Sequence, residues 1–389
     1  MAVAPKYIMT DQREWEEAKN ILCIRLDSLG DVLMTTPAIR ALKETLPERK
    51  VTLLTSQSGA RVAPLIPEVD ETIVYDPPWM KASAPPTGSS LEFQMIEQLR
   101  RSQFDAAVIF TTFSQSPLPA ALFTFMADIP LRLAHCRENP YYLLTHWVPE
   151  TDHFGQADIR HEVRRQLDLV ATVGSRTTNE HLSLQVPRAS LENVHNLLRQ
   201  ICLDQNRPWI VIHPGASAPS RRYPPESYGR LAETLISKDG YQIVFTGTEP
   251  EIELIKIIHR GMRAESFSLA GQLDLGELSA LISIAPLLIT NNTGPIHIAA
   301  ALGTPVVDLY ALTNPQHTPW MVPHRTLYHD VPCKFCYKSI CPEGHHHCLS
   351  LVSPSEVVEA VRSLLTETTL PAEIGARRPD RRNPASPSY

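Results

Sequence analysis

The stretch "LITNNTGPIHIAAALGTPVV", Leu288 to Val307, stops an apolar run on Thr-Asn-Asn-Thr-Gly and then starts a helix with Pro-Ile-His. Gly294 lets backbone pass close to a ligand. Pro295 suits the first helical position, where its missing N–H costs nothing. The free N–H groups and the dipole of such a helix start favour an anion. Thr293 adds a hydroxyl, and His297 lies in the first turn, within reach of the same pocket. For any single helix, an N-cap with a tight turn is the competing reading. A second stretch, "HPGASAPSRRYPPESY", repeats the pattern of strand, small-residue loop and helix, and sets Arg221 and Arg222 just before a helix start. Two such loops suit a diphosphate. No G-x-G-x-x-G follows a strand and no G-x-x-x-x-G-K-[ST] occurs, so a dehydrogenase or a P-loop enzyme is disfavoured.

A third turn, in "RLDSLGDVLMTTPAIR", brings Asp27, Ser28, Gly30 and Asp31 to the end of the first apolar run. Asp31 stands where an N-cap belongs. A carboxylate facing a cleft there could also take a proton from an incoming hydroxyl, and one residue can do both jobs. Four of the seven cysteines crowd into "CKFCYKSICPEGHHHC": Cys333, Cys336, Cys341 and Cys348, with His345 to His347 among them. Four soft ligands in so short a span could close a tetrahedral structural site for zinc or iron. Free thiols or a redox-labile pair is the competing reading. Without a secretory signal, a disulfide framework is not the default.

These turns need elements to hold them. Short apolar runs predict strands at 21–26, 50–56, 72–76 and 104–110, alternating with helical periodicity such as that of Val32, Leu33, Ile39, Leu42 and Leu46. That alternation argues for a parallel sheet with crossovers. A proline-rich loop occupies about 77–90, and a helix is expected over 157–174. The alternation then restarts, with strands at 208–215, 241–247, 287–290 and 305–310 and a helix at 274–285 capped by Asp274. The expected organisation is an N-terminal α/β domain over 1–185, a C-terminal one over 186–350, a helix at 351–370 returning toward the N-terminal domain, and a disordered tail at 371–389. Two such units place their strand C-termini at one cleft.

The bulk properties agree. A length of 389 residues suits two domains, and 43% hydrophobic with 20% charged residues is ordinary for a globular protein. A net charge of −6 with no basic stripe argues against a nucleic-acid partner. The first twenty residues carry too many charges for a signal peptide, and no apolar run approaches about 18 residues. The expected location is cytoplasmic. "PLPAALFTFMADIPL", interrupted by prolines and Asp128, reads as a buried helix, with contact to a membrane surface as the alternative.

Three separated segments, "ILCIRLDSLGDVLMTTPAIRALKETLP", "HPGAS" with "RRYPPE", and "TNNTGPIHIAAALGTPVVDLYALTNPQHTPW", together resemble glycosyltransferase family 9, the ADP-heptose:lipopolysaccharide heptosyltransferases and their relatives, over about residues 20–365. The resemblance implies a GT-B fold, two Rossmann-like domains with the acceptor side N-terminal and the nucleotide-sugar side C-terminal. It implies inverting transfer without a catalytic metal, from ADP-heptose to a hydroxyl of a glycan or glycolipid such as lipopolysaccharide core, with peripheral contact at the inner face of the cytoplasmic membrane. It puts the general base on Asp31 and the phosphate-binding cation on Arg221, where the family usually has Lys. It puts phosphate contacts on Thr293, Gly294 and His297, and an acid facing the nucleoside ribose on Glu249. The acid that usually precedes the Thr-Gly pair is Asn292 here. That departure leaves open another nucleotide sugar and a different glycan, protein or metabolite as acceptor. A non-catalytic nucleotide-binding or scaffold member is a third reading, against which the intact Asp31 and Arg221 argue.

Overall fold

The structure is a computed structural model that describes residues 12–80, 88–153 and 159–369. The expected disordered tail at 371–389 and the middle of the proline-rich loop lie outside the described residues. Among the described residues, twelve strands form two sheets. The first contains β1 (Asn20–Arg25), β2 (Lys50–Thr55), β3 (Glu71–Val74), β4 (Ala106–Ile109), β5 (Leu131–Cys136) and β6 (His146–Pro149). The second contains β7 (Trp209–His213), β8 (Gln242–Phe245), β9 (Phe267–Ser268), β10 (Leu288–Asn291), β11 (Val306–Leu309) and β12 (His324–Leu327). Every pairing is parallel. The orders are β3-β2-β1-β4-β5-β6 and β12-β11-β10-β7-β8-β9. Numbered within its own half, each is the doubly wound order 3-2-1-4-5-6, whose chain reversal between first and fourth strands opens a ligand crevice at the strand C-termini.

The central strands are covered on both faces, which is why they read as unbroken apolar runs rather than alternating ones. Ile21, Leu22, Cys23 and Ile24 are buried, as are Ala106 to Ile109 in the neighbouring strand. The helix Leu29–Thr45 buries Val32, Leu33, Ile39 and Leu42 against this sheet and carries Pro37 in its interior. Pro37 has no N–H for the Leu33 carbonyl, and the Thr36 hydroxyl donates to that carbonyl instead, at 2.7 Å. In the second half Asp274 caps its helix as expected, accepting from the Glu277 N–H at 2.7 Å.

The halves meet at several places among the described residues, including a T-shaped contact of Phe113 with Tyr337. Helix Leu29–Thr45 packs on helix Gly294–Leu302. The loop after β11 straps onto helix Glu162–Ala171: the Glu162 N–H donates to the Gln316 carbonyl at 3.1 Å, His161 Nε2 meets the Thr318 carbonyl at 2.8 Å, and Trp320 Nε1 donates to the Glu180 carbonyl at 2.8 Å.

One expectation changes. The helix Pro354–Thr369 does not bury its apolar face on the N-terminal half. Its stripe of Val357, Val361 and Leu364 fits the groove left by helix Pro225–Ser237 and the β11–β12 edge, and joins the core of the second sheet. The apolar segment before Asp128 does form a helix, Leu118–Met126, with Ala121 buried while Leu122 and Phe125 remain about half exposed. Among the described residues no helix is long and apolar enough to cross a membrane.

Candidate active site

The crevice of the first sheet is acidic. Arg25, the last residue of β1, is fully buried, and its guanidinium pairs with three carboxylates: Nε to Asp27 at 3.0 Å, Nη2 to Asp31 at 3.2 Å and Nη1 to Glu162 at 2.8 Å. Glu162 is itself fully buried and accepts from Gln166 Nε2 at 2.7 Å. A buried charge needs such partners, since unpaired it would neutralise or unfold its surroundings. Asp31 differs in one respect from its expected role. Ser28 occupies the N-cap, and Asp31 is the third helical residue, the acid of a capping box. One Asp31 oxygen accepts from the Ser28 N–H at 3.1 Å and hydroxyl at 2.6 Å. The cap belongs to Ser28 because its backbone is extended, while Asp31 already has helical geometry.

The two aspartates of this turn titrate apart. Burial raises Asp31, but the Arg25 charge and the Ser28 hydrogen bond outweigh it and hold the carboxyl well below the usual carboxylate range. For Asp27 burial wins over Arg25, aided by the neighbouring Asp31 charge, and pushes the carboxyl up to about 6. Gln115 Nε2 donates to Asp27 at 2.5 Å.

The crevice of the second sheet is cationic and neutral. Arg221, at the end of the short turn Pro219–Arg221, donates from Nη1 to the Asn292 carbonyl at 3.4 Å and from Nη2 to Asn314 Oδ1 at 3.2 Å. Thr293 is the N-cap of helix Gly294–Leu302, so Pro295 sits one residue further in than expected, and its side chain makes no capping bond. The Asn292 side-chain oxygen accepts from the Ala311 N–H at 3.3 Å. His297 is buried with Nδ1 unpartnered, and burial, with His317 close by, pulls it down to about 3, hence neutral. Its ring fills the place a side chain at residue 30 would need: a Cβ on Gly30 would come within 2.6 Å of the imidazole.

Two cavities open from this arrangement. One, about 1090 Å³, lies within the N-terminal half and is lined by Asp27, Gln57, Trp79, Thr111, Gln115 and Ala120 among others. The other, about 760 Å³, lies between the halves and is lined by His213, Gly215, Arg221, Arg222, Asn292, Thr293, Gly294 and His297. Asp31 and Ser28 line both. Of the residues expected from sequence, Asp31, Arg221, Asn292, Thr293, Gly294 and His297 converge on the inter-half cleft. Glu249 does not: it is exposed, and Glu251, one step further round the turn, lines the cleft instead. Glu251 accepts from the Thr248 N–H at 2.7 Å and hydroxyl at 2.9 Å. It occupies the space beside Gly215, where an added Cβ would meet its carboxylate at 1.9 Å. Sequence reading also missed Arg25, Glu162, Gln115 and His317. An arginine inside an apolar strand was the available signal for the first.

The cysteine loop lies behind this site. Cys333, Cys336, Cys341 and Cys348 are all free and, with His345 and His346, line a void of about 20 Å³. Among the described residues no group of three or more His, Cys, Asp or Glu side chains is placed to hold a metal ion. The expected zinc or iron site at these four cysteines is therefore not supported. The loop is fixed by backbone contacts instead: Ser220 N–H to the Ser339 carbonyl, Phe335 N–H to Leu312, and Tyr337 N–H to Thr313. It thereby buttresses the turn that carries Arg221.

Comparison with known proteins agrees with this geometry. Residues 93–347 match the model of "Glycosyltransferase family 9 (heptosyltransferase)". Lipopolysaccharide heptosyltransferase 2 of Escherichia coli is 29% identical over 371 residues, covering 89% of this chain and 99% of that protein. Lipooligosaccharide heptosyltransferase 2 of Haemophilus ducreyi is 26% identical over 365 residues, covering 89% and 99%. Among solved structures, a family 9 glycosyl transferase from Veillonella parvula superposes with a TM-score of 0.72 at 22% identity, covering 90% of this chain and 97% of that one. The E. coli ADP-heptose LPS heptosyltransferase II gives 0.69 at 25% identity, covering 90% and 99%. Two parallel α/β domains facing a central cleft are the GT-B fold, and the chain belongs to glycosyltransferase family 9.

Proposed function

We propose that this glycosyltransferase moves a heptose, or a closely related sugar, from an ADP-activated donor to a hydroxyl of a glycolipid acceptor such as lipopolysaccharide core, with inversion and without a catalytic metal. The observation that carries the reading is the position of Asp31 in the wall common to both cavities. The acceptor enters the N-terminal cavity and the nucleotide sugar the cleft between the halves. Asp31, kept ionised by Arg25, accepts the proton of the acceptor hydroxyl as that oxygen bonds to the anomeric carbon. A hydroxyl grows acidic as the new C–O bond forms, so a weakly basic carboxylate serves. The bond from the anomeric carbon to the diphosphate breaks on the opposite face. Arg221 and the start of helix Gly294–Leu302 stabilise the charge that gathers on the leaving ADP. Glu251 takes the ribose role expected of Glu249. The N-terminal domain, to about residue 185, holds the acceptor, and the following one, to about 350, holds the donor. The work is done in the cytoplasm, and Leu122 and Phe125, exposed on the helix whose Ala120 lines the acceptor cavity, support peripheral contact with the inner membrane face.

The test is a donor panel. The protein is incubated with a heptose-deficient core acceptor and ADP-heptose or other nucleotide sugars, with chelator present, and the product is read by mass spectrometry. Transfer from ADP-heptose in chelator is the expected result. Transfer only from a donor carrying another nucleotide, or only with added divalent metal, would overturn the reading.

A further inference from the structure

His317 sits in the loop that straps the two halves together, and it lines the cleft together with Asp31 and Arg221. Its Nε2 is buried and has no hydrogen-bond partner among the described residues. Its other nitrogen has a defined neighbour. The Asn314 carboxamide oxygen accepts from Arg221 Nη2 at 3.2 Å and from the Thr313 hydroxyl at 2.7 Å. With its oxygen so engaged, the amide turns its NH₂ to His317 Nδ1, at 3.4 Å. An amide N–H can only donate, so Nδ1 must accept, and in a neutral imidazole the proton then resides on Nε2. Burial and the nearby cations Arg221 and Arg25, against the pull of Asp31 and Glu162, hold the ring below its ordinary pKa, hence neutral at pH 7. The result is an N–H donor buried in the cleft with no protein acceptor. A buried donor without an acceptor is costly, and its presence at a ligand cavity marks a place where a ligand supplies the acceptor.

We propose that His317 is a further donor-site residue, its Nε2–H hydrogen-bonding an oxygen of the sugar-side phosphate of the nucleotide diphosphate. The inference rests on reading this cleft as the ADP-sugar site. It assigns the phosphate because His317 lines the same cleft as Arg221 and Asp31, is close enough to feel both charges, and is hydrogen-bonded to the Asn314 amide that also holds Arg221, the proposed cation of the diphosphate site. Arg221, Asn314 and His317 then form one hydrogen-bonded chain that sets the cation and the neutral donor in register. The loop supplying His317 is also the one bonded to helix Glu162–Ala171, so the N-terminal half holds this donor in place.

The experiment compares ADP with AMP by calorimetry on the wild type, His317→Phe and His317→Gln, with nitrogen-15 spectra of the wild-type imidazoles. Gln carries an amide N–H of similar reach and keeps the donor; Phe fills the volume and removes it. The expected result is a loss of about 10-fold in ADP affinity for the Phe variant, the scale of one hydrogen bond to a charged group. AMP affinity should stay unchanged, the Gln variant should keep ADP affinity near wild type, and the spectrum should show His317 as the Nε2–H tautomer. Equal losses for ADP and AMP would mean a general structural role and overturn the proposal, as would unchanged ADP affinity in the Phe variant or an Nδ1–H tautomer. A wild-type protein that binds neither nucleotide would instead bring down the ADP-site reading itself.

Discussion

The two crevices have the same topology and opposite electrostatics. Both sheets run 3-2-1-4-5-6, and both place their first helix-forming turn at the chain reversal. At the first, one arginine answers three carboxylates, Asp27, Asp31 and Glu162, which leaves a surplus of negative charge beside the cavity proposed for the acceptor. At the second, Arg221 and Arg222, His213 and His297, both kept neutral by burial, and a helix start face the cleft, with Glu251 and the shared Asp31 as acids on its wall. The fold supplies a crevice twice; a handful of residues at the strand ends decide what each holds. Negative charge suits a hydroxyl that must lose its proton, and positive charge suits a diphosphate that must leave.

Substitutions can break this contrast from either side. The largest effect is expected from Asp31→Asn. The amide oxygen can still accept from Ser28, so the helix start survives, but it cannot take a proton. Turnover should fall by roughly 10²–10⁴, while ADP affinity stays near wild type because the proposed diphosphate site lies on the other domain. Transfer kinetics beside ADP calorimetry decide it, and near-normal turnover would move the base elsewhere. Next is Arg25→Met, which strips the cation from three buried or half-buried acids. A loss of about 3–5 kcal/mol in unfolding free energy is expected, measured by chemical denaturation. The matching change on the donor side, Arg221→Ala, should hardly touch stability, since this arginine is only partly buried and holds no carboxylate. It should weaken ADP binding by about 1–3 kcal/mol. If both arginines behaved alike, the distinction between a buried counter-ion and a ligand-facing cation would be wrong.

The donor side was more legible in the sequence than the acceptor side, and the reason is physical. Gly294, Pro295 and Thr293 act through local backbone, so a helix start and its anion preference can be read from neighbours in the chain. Asp31 was visible for the same reason, though its exact place in the turn was not: the choice between Ser28 and Asp31 as cap depends on dihedral angles three residues apart. Arg25 and Glu162 lie 137 residues apart, and only the folded sheet brings them together. Glu249 and Glu251 flank a proline in one turn, and sequence alone does not say which faces inward; the close approach of Gly215 does. The long central strands were legible from apolar runs. Edge strands such as β9 and β12 were not, because two to four half-buried residues leave no periodic signal. The returning helix was misplaced for a similar reason, since an amphipathic stripe specifies that a face is buried and not what buries it.

The smallest predicted effect sharpens the comparison by pH. Asp27 carries the raised carboxyl of the acidic crevice, titrating at about 6 because burial outweighs Arg25. In the unfolded chain an aspartate titrates near 3.9. Between those values the folded protein binds the additional proton. The stability this contributes is fully present below about pH 4 and is lost as pH rises through about 6. Asp27→Asn cannot ionise, so it escapes that loss. The variant's melting temperature should therefore improve relative to wild type as pH goes from 5 to 8, by an amount of order 2 °C. Asp31→Asn should show a smaller drift of the same sign, because Asp31 itself stays ionised well below this range while the loss of its charge lets the Asp27 carboxyl fall toward its ordinary value. Melting curves of the three proteins at pH 5, 6, 7 and 8 make the test. A wild-type-to-Asp27→Asn difference that is flat with pH would mean that Arg25 satisfies all three of its carboxylates. The acidic crevice would then hold no titrating group near neutrality, and its contrast with the neutral histidines opposite would be one of fixed charge alone.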